Sequence, residues 1–395
     1  MTDETTNAPV AEAPAASLMP TYGSAAVTFV KGAGTELWDD AGRRYLDFLS
    51  GLAVTSLGHA HPEVADAIAE QARTLLHVSN LFGTIPGPQV AATLDRLLGG
   101  GGQVFFANSG AEANEAAFKL ARKWGGGAHG RYAVVSAYNS FHGRTLASLA
   151  ATGQPAKHEP FQPLPEGFRH VEFNNLDALA NAIDSTVAAV HLEAVQGEGG
   201  VNLADQDYLR GVRELCDERG VLMMIDEVQT GLARTGRWFA FQHYGIVPDV
   251  VCMAKALGNG MPIGATWAKT EVAAAFVAGD HATTYGGQPL ATSAARAVLA
   301  VMEREDAPAR ATRAGARLSE ALLALPGVSS VRGLGLLIAA ELTEANGPET
   351  AAACLQAGLV VNGITPTAVR FAPPLLVSDA EIDEAVAIFA KVLAP

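Results

Sequence analysis

The chain has 395 residues, 49% hydrophobic and 17% charged, enough to bury a large core and to divide into two domains. Its formal net charge of -14 comes without a basic cluster, which disfavours nucleic acid and anionic membrane as partners but not small anionic substrates that feel local arginines. No run of about 18 apolar residues predicts a membrane span, and Cys216, Cys252 and Cys354 lack the CxxC spacing of a zinc site or disulfide framework, which fits a reducing cytoplasm.

The first seventeen residues are rich in Ala, Pro and Thr and carry Asp3, Glu4 and Glu12, so they read as a disordered tail rather than a signal peptide. From about Val104 to Trp267, short apolar runs alternate with amphipathic stretches, the pattern of a largely parallel α/β sheet. Six strands are predicted, at 104–107, 132–137, 187–193, 221–226, 250–253 and 264–268. Between the third and fourth of these sits a helix with Asp205 as its cap, Leu209, Val212, Leu215 and Cys216 on one face, and Gly220 beyond its end. After about Leu290 come two helical stretches, the strand pattern RGLGLLIAAEL and a last helix from about Ser378, which together suggest a smaller α+β domain. The glycine runs at 99–102 and 125–127 lack the Lys and Ser/Thr of a phosphate-binding loop and read as plain loops.

Chemistry concentrates where strands end. The first strand runs into Asn108-Ser109-Gly110-Ala111-Glu112, in which Ser109 and Glu112 have capping-box spacing for a helix through Ala116, Leu120 and Trp124. Alone this is an ordinary helix start, but its free N–H groups, with Gly110 allowing close approach, can seat a phosphate against the helix dipole. The strand at 221–226 ends in Asp226 and continues Glu227-Val228-Gln229, placing carboxylates at the edge where α/β sheets bind ligands. Lys255 follows the next strand among small apolar residues that can depress its pKa and make it nucleophilic. A phosphate seat, a strand-end acid and a strand-end lysine each suit a different end of pyridoxal 5'-phosphate.

The stretches FANSGAEANEAAFKLAR, SFHGRT, EAVQGEGG, IDEVQTGLARTG, AKALGNGMPIGA, TTYGGQPLA and VRFAPPL, in this order, resemble the class III, fold-type I aminotransferases of the acetylornithine type, over nearly the whole chain after about residue 20. The resemblance implies a mostly parallel seven-stranded sheet in a large cofactor domain at 59–290, a small C-terminal domain at 291–395, and a segment at 18–58 that joins the small domain. It also implies that Lys255 and Asp226 are catalytic, the lysine binding the cofactor covalently and the aspartate pairing with its ring nitrogen. Further implied cofactor contacts are Ser109, Gly110, Ala111, Phe141, Glu193, Glu227, Val228, Gln229 and, from a second subunit, Thr284, hence a homodimer with shared sites. Arg144, Thr283, Arg370 and Glu198 match substrate-binding positions, with Glu198 masking Arg370 while the first substrate is bound.

The activity implied is transfer of the terminal amine of N-acetylornithine to 2-oxoglutarate, as in arginine biosynthesis. Succinylornithine, ornithine and 4-aminobutyrate remain alternative donors, and a non-catalytic cofactor binder is a further alternative. Ala111, Ala194, Asn259 and Gln288 depart from the family's commoner Thr, Pro, Gly and Asn, which bears on substrate more than on chemistry. His59 and His61, with no acidic partner nearby in sequence, read as structural; no metal is expected. Tyr285 and Trp124 read as packing residues, and His142 is expected close to the cofactor or packed beside it.

Overall fold

In the computed structural model, which describes residues 18–394, a seven-stranded sheet forms the centre of the molecule. The tail expected at 1–17 lies outside the described residues. The strands are β1 (Gly102–Ala107), β2 (Ala133–Ala137), β3 (Phe168–Val171), β4 (Val187–Leu192), β5 (Leu222–Asp226), β6 (Val250–Met253) and β7 (Gly264–Lys269), in the order β1-β7-β6-β5-β4-β2-β3. Neighbours from β6 to β3 pair in parallel, whereas β7 is antiparallel to both β6 and β1. The sheet is therefore mixed. Because β7 reverses direction twice over, β1 points the same way as β5 and β6, and all three deliver their carboxyl ends to one edge.

Every residue of β4, β5 and β6 is buried, which is why these strands read as unbroken apolar runs rather than alternating ones. β3 escapes such a reading: its four residues FRHV include Arg169 and His170, and an edge strand half in contact with solvent has no apolar run to display. The pattern RGLGLLIAAEL is not one strand but two, Val328–Leu334 and Leu337–Leu342, paired antiparallel about a turn at Gly335. A Cβ on Gly335, at φ +54°, would lie 2.5 Å from the carbonyl carbon of Thr235, so the tight turn requires glycine.

The N-terminal strands Phe29–Ala33, Glu36–Asp39 and Arg44–Asp47 form a meander whose last member pairs in parallel with Leu359–Val360 near the other end of the chain. Next, Ser50, Gly51, Leu52 and Ala53 adopt consecutive left-handed conformations, φ 52°, 58°, 70° and 62°. For non-glycine residues this costs roughly 1–2 kcal/mol each. Asp47 offsets part of the cost, its Oδ1 accepting from the Leu49 and Ser50 amides at 3.0 and 2.8 Å while Oδ2 lies 2.7 Å from His59 Nε2. His59 thus does have an acidic partner, twelve residues upstream, and the turn carries Val54 to the edge of the central cavity.

One helix expectation differs in detail and another holds. Asp205 occupies the cap position of Gln206–Arg219, but its side chain makes no capping bond, while Gly220 closes the helix at φ +58° as expected. The last helix, Asp379–Leu393, has a full capping box between Ser378 and Glu381. Among the described residues no helix is long and apolar enough to cross a membrane.

Candidate active site

At the carboxyl edge of the sheet, where β1, β5 and β6 end, lies a cavity of about 390 Å³, within the range of small-molecule sites. β1 leads into the helix Gly110–Trp124, whose N-terminal amides at Gly110 and Ala111 have no intrahelical carbonyl to bond. Ser109 Oγ accepts from the Glu112 amide at 3.2 Å, half of the expected capping box. The other half is displaced by one residue, because Glu112 Oε2 takes the amide of Asn108 and its side-chain Nδ2. Gly110 is obligatory for a second reason: a Cβ there would lie 2.7 Å from Val228 Cγ1, itself on the cavity wall. Free amides, a helix dipole and a wall that leaves no room for a side chain make an anion cradle fit for a phosphate monoester.

Across the cavity, Asp226 is 4% exposed, and both its oxygens are occupied. Oδ1 accepts from the Val228 amide at 3.0 Å; Oδ2 accepts from Asn114 Nδ2 at 2.8 Å and from His142 Nδ1 at 2.8 Å. Burial alone would push this carboxyl up, but the hydrogen bond and charge of His142 outweigh it and hold Asp226 below the usual carboxylate range. His191 stacks behind, its ring 4.3 Å from that of His142, and burial followed by the neighbouring His142 charge keeps it well below the usual imidazole value. His142 Nε2 and both ring nitrogens of His191 are buried without a hydrogen-bond partner among the described residues, so the pocket behind Asp226 is polar. His142, His191 and Asp226 also have metal-ligand composition, their ligand atoms lying within 4.8 Å. The His142–Asp226 hydrogen bond uses the shared oxygen, and a carboxylate so supported is suited to keep a proton on a ring nitrogen.

Lys255 follows β6 in a left-handed conformation, φ +43°, an uncommon state for a residue with a side chain and one that gathers at functional sites. Burial drives its ammonium down to about 8. Roughly a tenth of such an amine is neutral at pH 7, against well under a thousandth for an unperturbed lysine. Glu193, also in the cavity, accepts from the Phe141 amide at 3.1 Å, and burial with the nearby Asp226 charge pushes it well above the usual carboxylate range.

Arg370, on the strand Ala368–Phe371, is 1% exposed and does not line the cavity. Its Nη1 donates to Glu198 Oε1 at 2.6 Å, Gln229 Oε1 at 3.1 Å and the Gly197 carbonyl at 3.1 Å, and its Nη2 donates to Asn362 Oδ1 at 2.9 Å. Glu198 does line the cavity and so stands between it and the guanidinium. Arg144 lies on the wall beside Phe141, its guanidinium 5.6 Å from the ring centre.

Ser109, Gly110, Ala111, Phe141, Arg144, Glu193, Glu198, Asp226, Val228, Gln229 and Lys255 therefore share one cavity. Glu227 does not: buried beneath the floor, it accepts from the Thr230 hydroxyl and, at 2.9 Å, from the Phe241 amide, and burial pushes it up to about 7. Its side chain stands away from the cavity expected to hold the cofactor, since alternation along the chain after Asp226 turns it to the opposite side. Thr283 is occupied within its own loop, accepting from the Gly286 amide at 3.1 Å, and Thr284 is exposed; neither lines this chain's cavity. Trp124 and Tyr285, expected to pack, are 36% and 63% exposed, and the Tyr285 ring lies 5.3 Å from that of His77. Asn114 and His191 were not anticipated; only the placement of Asn114 four residues after Gly110, one helical turn on, hints that it faces the same cavity.

Two departures from the commoner pattern have structural uses. Asn259, at φ +48°, accepts from the Leu57 amide at 2.7 Å and donates to the Gly58 carbonyl at 3.0 Å, and Gln288 caps the helix Pro289–Arg304 through the Leu290 amide at 2.7 Å.

Comparison with known proteins adds a family to this geometry. The profile of the class-III aminotransferases matches residues 19–393. An acetylornithine aminotransferase of Methanocaldococcus jannaschii is 48% identical, over 92% of this chain and 92% of its own. A succinylornithine transaminase/acetylornithine aminotransferase of Pseudomonas aeruginosa is 44% identical over 95% of each. Among solved structures, an ornithine aminotransferase of Toxoplasma gondii with pyridoxal phosphate at partial occupancy in its active site is similar at a TM-score of 0.90 and 33% identity, covering 96% of this chain and 92% of that one.

Proposed function

The chain belongs to the class-III aminotransferases, enzymes dependent on pyridoxal phosphate, and from that premise we propose that it moves the terminal amino group of N-acetylornithine to 2-oxoglutarate. When bound, the cofactor supplies an aldehyde that exchanges with amines and a pyridinium that accepts electrons from an adjacent carbon. Lys255 would hold it covalently and would serve as the base for the proton on the donor's amine-bearing carbon. Asp226 would hold the ring-nitrogen proton, the Gly110–Ala111 amides would hold the phosphate, and Phe141 would pack against the cofactor. Arg144 binds a substrate carboxylate.

The observation that carries this reading is the closed pair of Arg370 and Glu198, 2.6 Å apart, opposite an Arg144 that has no carboxylate partner among the described residues. A donor whose reacting amine is remote from its carboxylate needs one cationic clamp, whereas glutamate, with a carboxylate beside its amine, needs two. Glu198 covers the second until it is required. The test is a comparison of steady-state rates with acetylornithine, succinylornithine, ornithine and 4-aminobutyrate. Acetylornithine is expected to give the highest kcat/KM, and a preference for free ornithine or 4-aminobutyrate would overturn the assignment. Succinylornithine is the second reading, favoured by the double description of the Pseudomonas aeruginosa relative.

Removing the cover separates the two half-reactions. In Glu198→Ala, Arg370 becomes a buried cation without its carboxylate when acetylornithine is bound, so that half-reaction weakens, while glutamate's carboxylate supplies the missing charge. The ratio of the two single-turnover efficiencies is expected to shift about tenfold, or roughly 1.4 kcal/mol, toward glutamate. Equal losses in both, by stopped-flow absorbance, would make Glu198 merely structural.

A homodimer with shared sites is part of the same proposal. Leu81, Phe82, Ile85 and Tyr285 are 86%, 69%, 73% and 63% exposed, and Asn80 Nδ2 ties their two loops together by donating to the Gly286 carbonyl at 3.0 Å. Large apolar side chains clustered beside a cavity are what a partner would cover, and Thr284 is exposed on the same loop. A solution mass of one chain would remove this support.

A further inference from the structure

The loop after Phe141 carries a second cation that the reading so far leaves without a task. Lys157 closes the short 3-10 turn Pro155–Lys157, and its Nζ lies 5.4 Å from the centre of the Phe141 ring, the same ring that Arg144 approaches to 5.6 Å. Its position is built rather than incidental. Gln154 Nε2 donates to the Ser140 carbonyl at 2.9 Å, which turns Gln154 Oε1 toward Lys157 to accept from its ammonium, and Ser140 Oγ accepts from the Gly153 amide at 3.0 Å. This chain of bonds ties the turn to the residue immediately before Phe141.

Neither Lys157 nor Arg144 is paired with a carboxylate among the described residues. Burial disfavours the Lys157 ammonium and the Arg144 charge disfavours it further, with Glu198 acting the other way, so the three charges sense one another. Two like charges held around one ring repel, and a surface lysine free to move would swing into solvent. A fixed pair of cations is stabilised by an anion placed between them, and the forked guanidinium with a point-charge ammonium suits a carboxylate.

We propose that Lys157 is a specificity-determining residue that joins Arg144 in a two-cation seat for the substrate carboxylate remote from the reacting carbon. This rests on the reading that Arg144 binds such a carboxylate. The seat would take the distal carboxylate of a five-carbon dicarboxylic acceptor and the carboxylate of the acylated donor in turn, and its benefit would appear in affinity, since the group lies away from the bonds that change.

The experiment uses cofactor-loaded enzyme and glutarate, a dicarboxylate that cannot react, so that binding is read without turnover. Calorimetric titration of Lys157→Gln is expected to give a Kd for glutarate roughly five- to tenfold above that of the parent, the lower figure reflecting the partial exposure of the site. Lys157→Arg should recover most of the loss, and the KM for 2-oxoglutarate should rise in parallel with kcat changing less than twofold. A glutarate Kd within twofold of the parent in Lys157→Gln overturns the proposal, as does a loss that Lys157→Arg leaves unrelieved, which would mark a structural role. Failure of the donor assignment is distinguishable, because it would appear as poor turnover of acetylornithine by the parent enzyme and leave the glutarate titration intact.

Discussion

Lys255→Ala is expected to lower turnover by more than about 10⁴-fold, or some 5.4 kcal/mol, because it removes both the covalent anchor and the base from one position. The cavity should otherwise persist, since Lys255 makes no side-chain hydrogen bond that supports a neighbour, and the melting temperature is the control. The same lysine predicts a pH dependence. Only its neutral form is a nucleophile, and burial brings its ammonium down to about 8. The rate at which apoprotein captures pyridoxal phosphate, followed by stopped-flow absorbance, should therefore rise with pH and level off just above 8. For a lysine whose pKa is not lowered the rise would continue to about 10.4, and a profile still climbing at pH 10 would show that burial does not activate this residue.

Asp226→Asn is expected to cost more than about 100-fold in kcat, or some 2.7 kcal/mol, with the fold retained. Charge is one cause: an amide cannot hold a ring-nitrogen proton as a carboxylate does. Geometry is the other. Both oxygens of Asp226 accept hydrogen bonds, Oδ2 from Asn114 and His142 and Oδ1 from the Val228 amide, so whichever way an asparagine is turned its NH₂ group meets a donor. That mismatch alone is worth about 1–3 kcal/mol of local stability. Single-turnover rates together with thermal unfolding separate the two effects. A variant within a few-fold of the parent would contradict the electron-accepting role assigned to the ring.

The contrast between Asp226 and its surroundings shows how far reading along the chain could go. β5 announces itself as five consecutive apolar or strand-ending residues, and a carboxylate at the end of a buried strand has few roles other than chemistry. What keeps that carboxylate ionised comes from elsewhere in the chain. Asn114 is on a helix 112 residues earlier and His142 on a loop 84 residues earlier, and their local sequence hints at the cavity without showing that either bonds to Asp226. Glu227 is the converse case. It adjoins Asp226 and carries the same functional group, yet the backbone turns it beneath the floor, where Thr230 and Phe241 bind it.

By itself the sequence determined the buried parallel strands, the strand-end positions of Asp226 and Lys255 and the helix start at Gly110, because each follows from hydrophobic runs, chain reversals and capping preferences within about a dozen residues. Through its run of motifs it also determined the family. Only the tertiary structure decided the direction of β7, the existence of β3, the hairpin about Gly335, the trio around Asp226 and the gathering of Lys157 and Arg144 about the Phe141 ring. Each of these depends on groups far apart in the chain, brought together by the packing of the sheet and its covering segments. The energy of a hydrogen bond or ion pair depends on separation in space and on burial, and neither quantity is written in the local order of residues.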